Sequence, residues 1–455
     1  MSPQDAFFLH VENDVDHMHS ASVAVFEGPA PSFDETVELI RSKLHLVPRY
    51  RQSIRFVPLE LGRPVWVDDP HFNIEYHIRH TSLPRPGSDD QLRTFVGRVM
   101  SQQLDRARPL WELWVTEGLS DGEQWAILSK SHHCMVDGVS TTNLLDVIVD
   151  QSPIPHRTVP QPWQPEKEPS EVRLLTDAAR ERIVSPYEQL RGLRALLRAP
   201  QRIAAELHAF GKGLGSFLHL LGEAPSSSLN GRIGPHRRWS WATSRLEDVK
   251  KIHRTHGGTI NDVVLSVVAR GFRDLLRSRG ESLSDRVIHT LVPVSVRREE
   301  ERGAYDNRVS PIFAELPIGT ADPLERLELI RAQMGGLQER VQAVAAETLT
   351  SLSGFAPPVL LALATRLFAR EQRAQMQTVT TNVPGPQQPL YVAGRRLLTV
   401  FPYVPLLGSV RIGIAVFSYA GQLTFGVTGD YESAPDIEVL CAGIEEGVAE
   451  LLDLS

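Results

Sequence analysis

The chain has 455 residues, of which 42% are hydrophobic and 23% charged, and its formal net charge is -7. That length exceeds what one hydrophobic core usually spans, so two domains are expected, and the acidic balance argues against a nucleic-acid partner, which calls for a basic footprint. Two cysteines, Cys134 and Cys441, exclude a disulfide framework and a cysteine metal cluster and suit a reducing interior.

In chain order, the opening MSPQDAFFLHVENDVD carries acids early and lacks a basic stretch leading into an apolar one, so it does not read as a signal peptide. SVAVF at Ser22–Phe26 is a short β-branched run. Ser32 and Glu35 form an S-x-x-E capping pattern ahead of VELIRSKL, which has helical spacing. WVDD and IEYHI read as extended, and Asp90–Leu104 repeats apolar residues at helical intervals. WELWVTEGL and QWAILSKSHH flank Ser120-Asp121-Gly122 as the arms of a β-hairpin, with a helix over Val139–Val149. Alternating strands and helices indicate an α/β domain. Gln151–Pro169 is a proline-rich connector. Val172–Lys212 then sets eight basic residues against four acidic ones among leucines and alanines, which suits either a solvated linker helix or a segment on an anionic membrane surface. A second α/β stretch starts near Trp239. It holds a helix from Asn261 to Arg279, strands at VIHTLVPVSV and near SPIFAELPI, and a helix from Pro323 to Gln342. Strands near LLTVFPYVP, VRIGIAVFSY and QLTFGVTGD follow QTVTTNVPGP, and a helix over Asp436–Leu452 ends the chain. No apolar run approaches bilayer-spanning length, and no solenoid or propeller period recurs.

The stretch with chemical character is His132-His133-Cys134-Met135-Val136-Asp137-Gly138, at the end of an apolar strand and ahead of a helix. Neighbours on a strand point to opposite faces, so the two histidines cannot easily share one task. A histidine is the natural proton shuttle at neutral pH and needs a partner to set its tautomer. Asp137 can organise the turn or brace the loop from elsewhere, and Gly138 permits a tight exit into the helix. Three other readings stand beside this one. A metal site is disfavoured by the opposite facing of the histidines and by the lack of a completing ligand set. A purely structural histidine pair remains open. The match of Gly118-Leu119-Ser120-Asp121-Gly122 to G-x-S-x-G lacks the strand-turn-helix context of a nucleophile elbow.

HHCMVDG resembles the HH-x-x-x-DG signature of the coenzyme A-dependent acyltransferases. Several further pieces resemble the wax ester synthase/diacylglycerol acyltransferase family, nearest to its actinobacterial triacylglycerol synthases. They are MSPQDAFFLHVEND, Pro109-Leu110-Trp111-Glu112, Thr259-Ile260-Asn261-Asp262, Leu291-Val292-Pro293-Val294-Ser295 and Thr381-Asn382-Val383-Pro384-Gly385-Pro386. The D-F-G-W-G motif of plant alcohol acyltransferases is missing, and no carrier domain accompanies the chain as it does a condensation domain.

The resemblance implies an α/β architecture of two similar chloramphenicol-acetyltransferase-like domains with mixed sheets flanked by helices. Residues 1–150 and 236–455 would form the domains, 151–235 the crossover, and a channel between the domains the active site. It implies transfer of a fatty acyl group from acyl-CoA, a substrate and not a cofactor, to diacylglycerol or a long-chain alcohol. His133 is then the general base and Asn261 the oxyanion donor, with His132, Asp137 and Gly138 as structural support. Asn261 reads equally as a helix cap. Pro109, Leu110 and Trp111 shape the channel or belong to the core; Asn382, Pro384 and Gly385 form a channel loop or a turn imposed by prolines and glycine. Arg297 and Arg298 can meet CoA phosphates on charge alone. No metal, cofactor or nucleic acid is expected. A cytoplasmic protein peripherally associated with the plasma membrane or lipid bodies is.

Overall fold

The computed structural model describes residues 1, 3–58, 62–135, 144–155, 162–177, 227–295, 309–348 and 376–455. The chain begins with α1 (Pro3–Val11), β1 (His19–Glu27) and α2 (Phe33–Lys43). A short hairpin follows, β2 (Gln52–Arg55) and β3 (Val65–Asp68), then α3 (Ile74–His77), β4 (Ile78–Ser82), α4 (Asp89–Met100), β5 (Trp111–Leu119), β6 (Gln124–His132) and α5 (Leu144–Ile148). Later come β7 (Arg237–Arg245), α6 (Leu246–His256), α7 (Ile260–Ser278), β8 (Ile288–Ser295), β9 (Val309–Leu316) and α8 (Pro323–Thr348). The remainder is β10 (Thr378–Pro384), β11 (Tyr391–Val392), β12 (Arg395–Tyr403), β13 (Ile412–Tyr419), β14 (Gln422–Asp430) and α9 (Ile437–Asp453).

Apart from the β2–β3 hairpin, the strands of the described residues form two six-stranded mixed sheets, ordered β11-β12-β1-β6-β5-β4 and β7-β14-β13-β10-β8-β9. Local chemistry starts several of the helices. Ser32 and Glu35 close the expected capping box on α2, Ser88 and Gln91 close one on α4, and Thr259 and Asp262 close one on α7. IEYHI departs from its extended reading. Asn73 accepts the Glu75 N–H and turns Ile74–His77 into one helical turn before β4 begins at Ile78. The Ser120-Asp121-Gly122 turn joins two strands, with Ser120 and Asp121 at positive φ. The serine there is a hairpin residue and not a nucleophile elbow.

Both faces of the first sheet are covered. Along β1, Ala24 and Phe26 enter a core with Ile40 of α2, Trp111 and Ile148, while Val23 and Val25 face a second core holding Val96 of α4 and Trp239. The other sheet packs against α7 and α9 around Val264, Phe272, Ile414 and Ile444. The sheets meet where β12 lies against β14. Thr424 Oγ1 donates to Val400 O at 2.7 Å, and Trp239 Nε1 donates to Pro402 O at 3.2 Å. Only glycine fits at position 426, because a Cβ there would lie 1.7 Å from the Pro402 oxygen. Strand β12, late in the chain, thus completes a sheet whose other long strands come from the first third.

Candidate active site

The site grows from the paired ends of β1 and β6, where His19 lies opposite His132 and Ser20 opposite Ser131. Paired residues share a face and neighbours alternate, so the two histidines of the motif part company. His132 stays on the strand, its N–H bonded to Leu110 O at 2.9 Å, and His133 opens a 3-10 turn with its N–H on Met18 O at 2.7 Å.

His132 is 1% exposed. Its Nδ1 accepts the Cys134 N–H at 3.1 Å, so its proton sits on Nε2, which faces Glu12 Oε2 at 3.5 Å. Glu12 also faces His19 Nε2 at 3.4 Å and takes hydrogen bonds from Arg106, whose Nε lies 2.8 Å away. Burial by itself would raise the Glu12 carboxyl, but the contacts from His132, His19 and Arg106 outweigh it and hold the group well below the usual carboxylate range. Burial pushes His19 down to about 3 despite Glu12. This side of the strand is a structural hub with a fixed anion at its centre.

His133 looks the other way. Its Nδ1 lies 2.8 Å from Ser20 Oγ, and the Phe8 ring meets it edge-on with centroids 4.2 Å apart. Its Nε2 has no partner among the described residues. Burial first, and then the neighbouring His132, push the imidazole down to about 4, while the residue as a whole is half-buried. A neutral, oriented imidazole with one free nitrogen is what a general base needs. Next to it, Cys134 is 1% exposed in the first core, and burial holds its thiol protonated, with a pKa well above the usual range.

Leu110 and Trp111 lie within the first core, and Pro109 is buried beside them. Leu110 and Trp111 are 0% and 1% exposed, the Trp111 indole donates to Tyr50 O at 2.8 Å, and His77 stacks on it at 4.5 Å. Tyr50 OH accepts the Leu144 N–H at 3.0 Å, so this packing also anchors the start of α5. Asp137 and Gly138 lie outside the described residues, as do Arg297, Arg298 and most of the basic segment.

On the other sheet, α7 begins at Ile260, one residue before the expected start, and Thr259 is its N-cap. Asn261 is therefore not the cap. Its Oδ1 accepts from Asn382 Nδ2 at 3.3 Å, which leaves its own amide hydrogens without a partner among the described residues. Asn382 and Pro384 belong to β10, parallel to β13, and Gly385 follows with its N–H 3.2 Å from Ser418 Oγ. A Cβ on Gly385 would come within 2.3 Å of Phe417 and Ser418, so the close approach requires glycine. Asn261 and Asn382 thus meet, as do His132 and Leu110; no hydrogen bond or ring contact among the described residues joins His133 to Asn261.

The model of the wax ester synthase/diacylglycerol acyltransferase catalytic domain matches residues 1–264, and that of the family's C-terminal domain matches residues 305–452. The chain belongs to this family. A Mycobacterium tuberculosis (strain H37Rv) protein described as a probable diacylglycerol O-acyltransferase, tgs1, is 37% identical over 454 residues, 99% of this chain and 95% of its own. A second from the same strain, tgs2, described in the same words, is 30% identical over 464 residues, 99% of this chain and 98% of its own. The solved wax ester synthase/diacylglycerol acyltransferase from Marinobacter aquaeolei VT8 is 27% identical with a TM-score of 0.69, covering 99% of this chain and 98% of that one. The first condensation domain of the calcium-dependent antibiotic synthetase, 17% identical with a TM-score of 0.58 over 100% of this chain and 95% of its own, shares the fold.

In this family member, Glu12, His19, Ser20, Phe8 and Arg106 are site neighbours that motif reading missed. A signal did exist: Ser20 and Ser22 are polar residues on a β1 face that otherwise enters the core with Ala24 and Phe26.

Proposed function

We propose that this chain transfers a long-chain fatty acyl group from acyl-CoA to the free hydroxyl of diacylglycerol, releasing triacylglycerol and CoA. The observation that carries the chemistry is His133, neutral and held at Nδ1 while its Nε2 has no partner among the described residues. The substrate class rests on full-length likeness to a relative described as a diacylglycerol O-acyltransferase. His133 takes the acceptor proton as its oxygen attacks the thioester carbon. The amide hydrogens of Asn261 receive the oxyanion, the C–S bond breaks, and the imidazolium returns the proton to the CoA thiolate. No covalent acyl-enzyme and no cofactor enters this route. The acceptor can also be a long-chain alcohol, since the family description and the Marinobacter enzyme pair both activities.

Residues 1–150 and 236–455 are assigned as the two domains and 151–235 as the crossover, with β11–β12 of the second completing the first's sheet. A lipid acceptor must be taken from a lipid surface, and no helix among the described residues is long and apolar enough to cross a membrane. A cytoplasmic protein working peripherally at the plasma membrane or at lipid bodies fits both points.

The test is CoA release from palmitoyl-CoA with diacylglycerol, hexadecanol or no acceptor. Acceptor-dependent release is expected to fall by roughly 10² to 10⁴ in His133→Ala and by roughly 10² to 10³ in Asn261→Ala. Release untouched by His133→Ala overturns the base assignment. No release with either acceptor overturns the activity in favour of a lipid-binding paralogue.

A further inference from the structure

We propose that Ser20 is a positioning residue that sets the tautomer of His133, its Oγ accepting the Nδ1 proton so that the Nε2 lone pair faces the acceptor hydroxyl. This rests on the reading of His133 as the base.

Two atoms at the start of β1, one from the residue just before it and one from its second residue, grip the same histidine. Met18 O takes the His133 N–H at 2.7 Å, and Ser20 Oγ lies 2.8 Å from Nδ1. The strand is itself fixed on both sides, since Ser20 pairs with Ser131 on β6 and Ala21 with Tyr403 on β12. The Phe8 ring closes the imidazole from a third direction, centroids 4.2 Å apart. The ring therefore has little freedom to turn, and the one unsettled variable is which nitrogen holds its proton.

His132 provides the contrast. A backbone N–H points at its Nδ1, so its proton must be on Nε2. A hydroxyl can accept as well as donate, which allows His133 the opposite state. Only that state leaves Nε2 able to take a proton. If the hydroxyl donated to Nδ1 instead, Nε2 would carry the hydrogen and the base would be blocked. A serine in this role also differs from a carboxylate. It orients the ring without a charge that would stabilise the imidazolium, so the proton taken from the alcohol is readily passed on to the leaving thiolate.

The test combines a spectroscopic and a kinetic measurement on the full-length chain. With ¹⁵N-labelled histidine, the His133 signal is assigned by its loss in His133→Gln. At neutral pH it is expected to report a protonated Nδ1 and a bare Nε2. Ser20→Ala is expected to move it towards the Nε2–H tautomer and to lower kcat roughly 10- to 100-fold, with KM for palmitoyl-CoA within about twofold. Ser20→Thr, which keeps the hydroxyl, is expected to restore most of both. A wild-type His133 protonated at Nε2 overturns the proposal whatever the activity, and so does a Ser20→Ala protein with wild-type kcat and spectrum. Failure of the base assignment would appear separately, as activity retained in His133→Ala while the wild-type protein still reports a protonated Nδ1 at His133.

Discussion

Lowering the pH probes His133 directly. Its imidazole is pushed down to about 4 by burial and then by His132, whereas a histidine in water titrates near 6.5 (about). At pH 5.5 a base at about 4 is about 97% neutral, and one at about 6.5 only about 9%, so the two cases differ by about tenfold in competent enzyme. The assay is kcat/KM for palmitoyl-CoA between pH 4.5 and 8, which reports the free enzyme, with CoA release read by a disulfide reagent that reacts in acid. The expected profile stays within about 10% of its plateau down to pH 5.5 and turns down only towards pH 4. An acid limb centred near 6.5 would refute the environment assigned to His133. Stability moves over the same range. Because folding favours the neutral ring, the unfolded chain takes up its proton first as pH falls. The contribution is therefore whole above about 6.5 and lost as pH falls towards about 4. His19, pushed down to about 3, and His77, pushed down to about 4, act in the same direction. Urea midpoints should accordingly fall between pH 6.5 and 4, and activity lost to unfolding is separated from activity lost to protonation by returning samples to pH 7.

Two further outcomes are expected. Glu12→Gln removes the anion facing His132 and His19; the carboxylate is 4% exposed, but its contacts to the two histidines are long at 3.4 and 3.5 Å, and Arg106, which bonds it more closely, is 43% exposed and can rehydrate. A cost of about 2 kcal/mol is expected in urea unfolding, and an unchanged midpoint would mean that Glu12 does not hold the hub. Gly426→Ala drives a methyl group onto the Pro402 carbonyl, a backbone atom that cannot swing aside. About 3 kcal/mol of destabilisation is expected by thermal or urea unfolding; wild-type stability would mean that β12 does not lie against β14 as described.

Much of the architecture was legible because it is written in local periodicity. The β5–β6 hairpin, the capping box of α2, the strands β12 to β14 and the closing helix all follow from alternation, helical spacing and turn residues close together in the chain. Errors arose where a single polar side chain tipped a boundary. Asn73 turned an extended reading into a helical turn, and Thr259 with Asp262 took the cap for which Asn261 had been a candidate.

By itself, the sequence determined the family, the α/β class, and the motif histidines at a strand end, because each is encoded in residue types a few positions apart. Only the tertiary structure decided which groups surround those histidines. Ser20 reaches His133 across 113 positions, Arg106 reaches Glu12 across 94, and Asn382 reaches Asn261 across 121. Such pairings depend on strand register and on how two sheets pack, and neither is a property of spacing along the chain.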